Sequence, residues 1–78
     1  MKLEVVIPER VLISKDCKSI TLPSTEGMIE VMDKHEPMII ELTKGEITIN
    51  SSEKVKISSG FAVVEEMSCK VVVSEAQK

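Results

Sequence analysis

The sequence predicts an all-β fold, a flattened sandwich or barrel of about ten short, mostly antiparallel strands. Three observations carry this expectation. Short β-branched runs recur roughly every 8–12 residues between polar turn clusters, the spacing of a sandwich or barrel. Within the runs apolar and polar residues alternate, most clearly in Glu46-Ile47-Thr48-Ile49 and Lys54-Val55-Lys56-Ile57. One stretch has helical spacing, with apolar residues and a histidine at Met28, Met32, His35, Ile39 and Leu42, but Pro37 interrupts it. A proline there removes a helix hydrogen bond and clashes with the preceding turn, at a cost of about 3 kcal/mol.

Taken in order, Leu3, Val5 and Ile7 alternate with Lys2, Glu4 and Val6 in a half-buried strand that Pro8 ends. Val11-Leu12-Ile13 forms a second apolar run closed by Ser14-Lys15-Asp16. Cys17 to Leu22 forms a third strand, with Ile20 and Leu22 on the core face. Pro23-Ser24-Thr25-Glu26-Gly27 is a turn by composition. Strands are expected over Ile29–Met32 and Met38–Leu42, around the polar loop Asp33-Lys34-His35-Glu36-Pro37. Glu36 is pushed toward extended geometry by the following proline. Thr43-Lys44-Gly45 turns the chain into the two alternating runs, which form an antiparallel hairpin across Ser51-Ser52-Glu53. Ser59-Gly60 leads into Phe61-Ala62-Val63-Val64, and Cys69 to Val73 forms the last strand. Residues 1–74 make a single domain, and Glu75-Ala76-Gln77-Lys78 is expected to be a frayed polar tail.

The bulk chemistry excludes several functions. With 78 residues the domain buries only roughly 60% of the surface its unfolded chain exposes, so it needs support from a disulfide, a metal or a partner. Cys17 and Cys69 are far apart in sequence and follow no secretory leader, so both read as reduced thiols and small hydrophobes. One histidine and two unclustered cysteines make no metal ligand set, and no cofactor motif is present. The net charge of −3 and the single aromatic, Phe61, argue against nucleic acid. No apolar run approaches the ~20 residues of a membrane span. What remains is a protein partner.

The segment from Pro23 to Pro37 is the displayed part of this scaffold: it holds the only histidine, two prolines and two methionines. His35 lacks any spacing to a nucleophile or orienting acid, so it is not a catalytic base. It is either a contact residue or a loop histidine satisfied locally. Met28, Met32 and Met38 are either core filler or an adaptable apolar surface, and Ile39 either joins that surface or faces inward. Gly27 and Gly45 are structural by their place in turns. Gly60 permits a bulge or tight entry before Phe61, and Phe61 is expected in the core.

Several of these pieces together resemble the N-terminal β-sandwich domain of the F-type ATP synthase epsilon subunit. Leu3-Glu4-Val5-Val6-Ile7-Pro8-Glu9 followed by Val11-Leu12 resembles that family's first hairpin. Ile20-Thr21-Leu22-Pro23, Gly27, Val31 and His35-Glu36-Pro37 are similar to its central signature, roughly Pro-Gly-x-x-Gly-Glu-Phe-Gly-Val-Leu-Pro-Gly-His-Ala-Pro. Gly45 falls at the following turn, Ser59-Gly60-Phe61-Ala62 resembles the Gly-Gly-Phe turn, and Val71-Val72-Val73 resembles the last strand. The collinear order covers essentially the whole chain. It departs from the pattern at Ser24, Glu30 and Lys34, where the family has glycine, at Asp33, where it has proline, at Glu36, where it has alanine, and at Met28, where it has an acidic residue. The lost glycines imply a loop that either avoids positive φ or accepts strain.

The resemblance implies a non-catalytic rotor subunit that couples proton flow to ATP synthesis. It would bind the gamma subunit through Met32, His35, Pro37, Met38 and Ile39. It would face the polar loops of the c-ring through Glu26, Gly27, Met28, Ile29 and Glu30, with Glu26 or Glu30 standing in for the carboxylate missing at Met28. The implied location is peripheral, on the cytoplasmic face of a bacterial inner membrane or the matrix side in an organelle. The family continues into two C-terminal helices at the point where this sequence ends, so no helix-based inhibition and no nucleotide site are expected of these residues. The alternative is a free-standing β-sandwich that binds a peptide by adding it as a strand at an open edge.

Overall fold

The structure, a computed structural model describing residues 1–77, is built of ten strands and contains no helix among the described residues. They are β1 (Lys2–Ile7), β2 (Arg10–Asp16), β3 (Ser19–Ser24), β4 (Gly27–Met32), β5 (Met38–Leu42), β6 (Gly45–Ile49), β7 (Glu53–Ile57), β8 (Gly60–Val64), β9 (Ser68–Val73) and β10 (Ala76–Gln77). The all-β expectation holds, as do the two strands around the 33–37 loop.

One continuous sheet folds over itself. Its order is β10-β7-β6-β3-β5-β8-β9-β1-β2, with β4 paired to β3 off that path. The fold line is at β3: Ile20 and Thr21 pair with β6, whereas Ser24 pairs with Leu42 of β5. A first layer therefore holds β4, β3, β6, β7 and β10, and a second holds β5, β8, β9, β1 and β2. Every strand pair is antiparallel except β1 with β9.

Alternation along each strand fills the space between the layers. Leu3 and Val5, Ile20 and Leu22, Ile47 and Ile49, Val55 and Ile57, and Val71 and Val73 all point inward and are buried. No aromatic side chain is among them. Phe61 is a correction: it stands 44% exposed on the outside of the second layer. Its neighbours Ala62 and Val64 are the buried residues of β8, and strand parity sends Phe61 the other way.

Two turns also differ from expectation. Pro23 and Ser24 are buried members of β3, leaving only Thr25-Glu26 as the β3–β4 turn. Pro23 sits where β3 changes partner from β6 to β5, so its missing N–H breaks no ladder bond, and its carbonyl accepts from the Thr43 N–H at 2.9 Å. The tail is ordered through Gln77, with Ala76 and Gln77 pairing with Ile57 and Lys56. Ser58 fixes it: the Glu75 N–H donates to Ser58 Oγ at 3.0 Å, and the Ser58 N–H donates to the Glu75 carbonyl at 3.0 Å. Lys78, the last residue of the expected tail, lies outside the described residues. Across the seam between the two ends of the sheet, Lys15 of β2 pairs with Glu53 of β7, both ends of the pair half exposed.

Candidate functional site

The β3–β4 turn is built by a buried serine. Ser24 Oγ donates to the Gly27 carbonyl and accepts from the Glu26 N–H at 3.1 Å, which satisfies the hydroxyl inside the protein. Gly27 then takes φ of 117°, a conformation that only glycine adopts freely. From this turn β4 runs to the 33–37 loop at the opposite end of the strand. Of the residues expected at the gamma subunit, Met32 and His35 therefore lie at the far end of β4 from this turn, whereas Met38 and Ile39 of β5 line one groove with Glu26 and Ile29 of the set expected at the c-ring.

The loop is clamped from two sides. The Met1 ammonium lies 2.6 Å from Asp33 Oδ1 and donates to the Cys17 carbonyl at 2.8 Å. The hydrogen bond to Asp33 holds that ammonium above its ordinary pKa. The Lys34 N–H donates to the Glu66 carbonyl at 2.7 Å, tying the loop to the β8–β9 turn. Lys34 pays no heed to its side chain's preference: its φ is 64°. Both readings of the lost glycines are realised: Ser24 and Glu30 avoid positive φ within strands, and strain is accepted at Lys34. His35 is half-buried, with Nδ1 2.9 Å from the Glu36 carbonyl.

The expected contact residues do not share one surface. Ile39, 74% exposed, projects from the outer side of β5, and Met38 and Pro37 lie exposed beside it. Met32 and Met28 project from the outer side of β4, on the first layer. Ile29 is a correction within the Glu26–Glu30 set: it is half-buried and packs against the core, while Glu26, Met28 and Glu30 are exposed.

Around Ile39 the structure assembles a surface the sequence reading missed. The registers put Ile39 beside Val63, and Phe61 beside Val72, then Val6, then Val11. These side chains run across all five strands of the second layer, about 19 Å at the usual strand spacing. Val11 is half exposed, and Val6, Val63 and Val72 are partly exposed. The corresponding face of the first layer is polar over β3, β6 and β7, with Thr21, Thr48 and Lys54 in one row and Glu46 beside Lys56 in the next, and carries the exposed Met28 and Met32 on β4. The signal was present in the sequence: Phe61-Ala62-Val63-Val64 and Val71-Val72-Val73 are continuously apolar, which marks a strand covered on both faces.

Among the described residues there is no group of three or more His, Cys, Asp or Glu side chains placed to hold a metal. Burial pushes the thiols up, Cys69 to about 11 and Cys17 in the same direction, which keeps both protonated and unreactive near neutral pH. No helix of the described residues is long and apolar enough to cross a membrane.

The fold defines a β-sandwich domain, with exposed apolar side chains from Ile39 and Phe61 to Val11 on the outside of one layer. The particular family follows from comparison: the family described as ATP synthase, Delta/Epsilon chain, beta-sandwich domain, matches residues 1–78, and the chain belongs to it. An ATP synthase epsilon chain from a Sulfurovum species is 36% identical over 80 residues, covering 97% of this chain and 62% of the relative. One from Rhodospirillum rubrum is 33% identical, covering 96% and 59%. The chain therefore spans about 60% of the length of such relatives. Among solved structures, a chain of the Tetrahymena thermophila mitochondrial ATP synthase central stalk and c-ring superposes with a TM-score of 0.82 at 17% identity, covering 97% of this chain and 64% of that one. A chain of the Euglena gracilis mitochondrial enzyme gives 0.84 at 24% identity, covering 95% and 50%. At these identities the structural likeness establishes the fold.

Proposed function

We propose that this domain is a non-catalytic central-stalk subunit of an F-type ATP synthase. It docks on the gamma subunit through the apolar outer face of the second layer and the adjoining 33–37 loop. It presents the Glu26–Glu30 turn and strand to the polar loops of the c-ring, so that proton flow and ATP synthesis stay coupled. The supporting observation is the contrast between the two outer faces. An apolar stripe from Ile39 and Phe61 to Val11 is left uncovered, while β3, β6 and β7 of the opposite face present threonines, lysines and a glutamate. Stripes of that extent on small soluble domains mark interaction surfaces. Family membership and the epsilon-chain relatives support a place in an ATP synthase, within which this reading takes the gamma subunit as the partner. The reading puts the domain at the membrane periphery, on the cytoplasmic side in a bacterium or the matrix side in an organelle.

The test is capture of the gamma subunit from the same organism. Wild-type protein co-purifies with it. Phe61→Asp weakens capture at least about tenfold, as expected for a central aromatic contact, while Lys54→Asp on the opposite face leaves it within about twofold. A folded wild-type chain with no gamma binding at tens of micromolar contradicts the proposal.

A further inference from the structure

The open edge of β5 differs from the other free strand edges. On its paired side β5 bonds to β8, and the alternation of that ladder is fixed at two points. The Glu41 carbonyl accepts from the Thr25 N–H at 3.1 Å, so Glu41 points its backbone groups away from β8. The Glu65 N–H donates to the Ser68 carbonyl at 2.8 Å, so the odd-numbered residues of β8 bond to β9 and leave the even-numbered ones for β5. Ile39, two residues before Glu41 and opposite Val63, therefore points both its N–H and its C=O to the open side. Among the described residues no backbone group bonds to it there.

A groove of about 260 Å³ runs along this edge, between β5 and the β3–β4 hairpin. Ile29, Met38, Ile39 and Ile40 supply its apolar lining, and the charged residues at it, Glu26 and Glu41, are both carboxylates. Exposed strand edges are normally blunted by charge or irregularity. The free edge of β2 carries Arg10, Lys15 and Asp16 and has a register shift opposite Val5 and Val6, and β4 carries Glu30 at its middle. The open part of the β5 edge, Met38 to Ile40, is apolar and pairs regularly with β8, and the one charge of the strand, Glu41, lies beyond it where the Thr25 N–H already bonds.

We propose that an extended segment of the stalk partner adds to β5 as a strand, bonding through the Ile39 N–H and C=O. This rests on the rotor reading above, and it specifies the partner's chemistry. The segment is extended rather than helical, because unpaired main-chain groups recognise main chain. It sends apolar side chains into the groove and carries a lysine or arginine near its end, opposite Glu41. The added strand is continuous with the apolar outer face, since the Ile39 side chain opens that stripe.

The test is amide hydrogen exchange at Ile39 in the complex with the gamma subunit of the same organism, together with three variants. The Ile39 amide slows more than about tenfold on binding. Ile39→Pro, which removes the free N–H, weakens binding about tenfold, whereas Ile39→Val, which keeps it, stays within about threefold. Glu41→Lys weakens binding and lessens its salt dependence. If the complex forms but the Ile39 amide exchanges as in the free protein, strand addition is wrong while the rotor reading stands. If Ile39→Pro does not fold, the wild-type exchange measurement decides alone. If no complex forms with folded protein, both readings fall.

Discussion

Lys34 and Cys69 carry the clearest consequences at the scale of single residues. Lys34 holds φ at 64°, at a position where the resembled family has glycine, and its amide is committed to the Glu66 carbonyl. Lys34→Gly removes the steric cost of that conformation and raises the unfolding free energy by about 1 kcal/mol, measured by urea denaturation. A glycine variant less stable than wild type would show that the lysine side chain itself holds the loop. Cys69 is 1% exposed, and burial raises its thiol pKa from 9.0 to about 11. Between those values the unfolded chain has lost the thiol proton and the folded chain keeps it. Stability therefore falls as pH rises through that window, by about 1.4 kcal/mol per pH unit, and is unaffected by this group at lower pH. Denaturation midpoints followed from neutral pH into the alkaline range should show that slope in wild type and lose most of it in Cys69→Ala.

At the scale of elements, β8 shows both what the sequence made legible and what it concealed. Gly60 permits a close approach to β9: a Cβ there would lie 2.2 Å from the Val72 carbonyl oxygen and 2.8 Å from Val73 Cγ1. Gly60→Ala is expected to cost about 3 kcal/mol by forcing the strands apart, read from thermal or urea unfolding. A loss below 1 kcal/mol would mean the strands yield easily. Gly45 is less constrained, with the Pro23 ring 3.2 Å from the place its Cβ would occupy. The β6–β7 hairpin was legible because Ile47, Ile49, Val55 and Ile57 alternate strictly with polar residues. The outward turn of Phe61 was not, because four consecutive apolar residues leave parity undetermined and an isolated aromatic is ordinarily buried. Ser24 was read as turn because its composition suits one. Its burial depends on the corner where β3 passes from β6 to β5, a long-range pairing. Residues 75–77 were read as frayed because their only anchors, Ser58 and the edge of β7, are distant in sequence.

For the whole molecule, a sheet folded once at β3 gives two outer faces of opposite character. The sequence identified the Pro23–Pro37 segment as displayed, and its two ends do lie at opposite ends of β4. The apolar face could be seen only once the registers of β5, β8, β9, β1 and β2 were known, because its members come from strands spread along the chain. The central claim is that the gamma subunit covers that face. The most direct measurement is an amide-exchange and cross-saturation footprint of the domain in complex with the gamma subunit of the same organism. The account predicts protection and saturation at Val6, Val11, Ile39, Phe61, Val63 and Val72, with Thr21, Thr48, Lys54 and Lys56 unchanged. A footprint on the polar face of the first layer, with Phe61 still free, would contradict it.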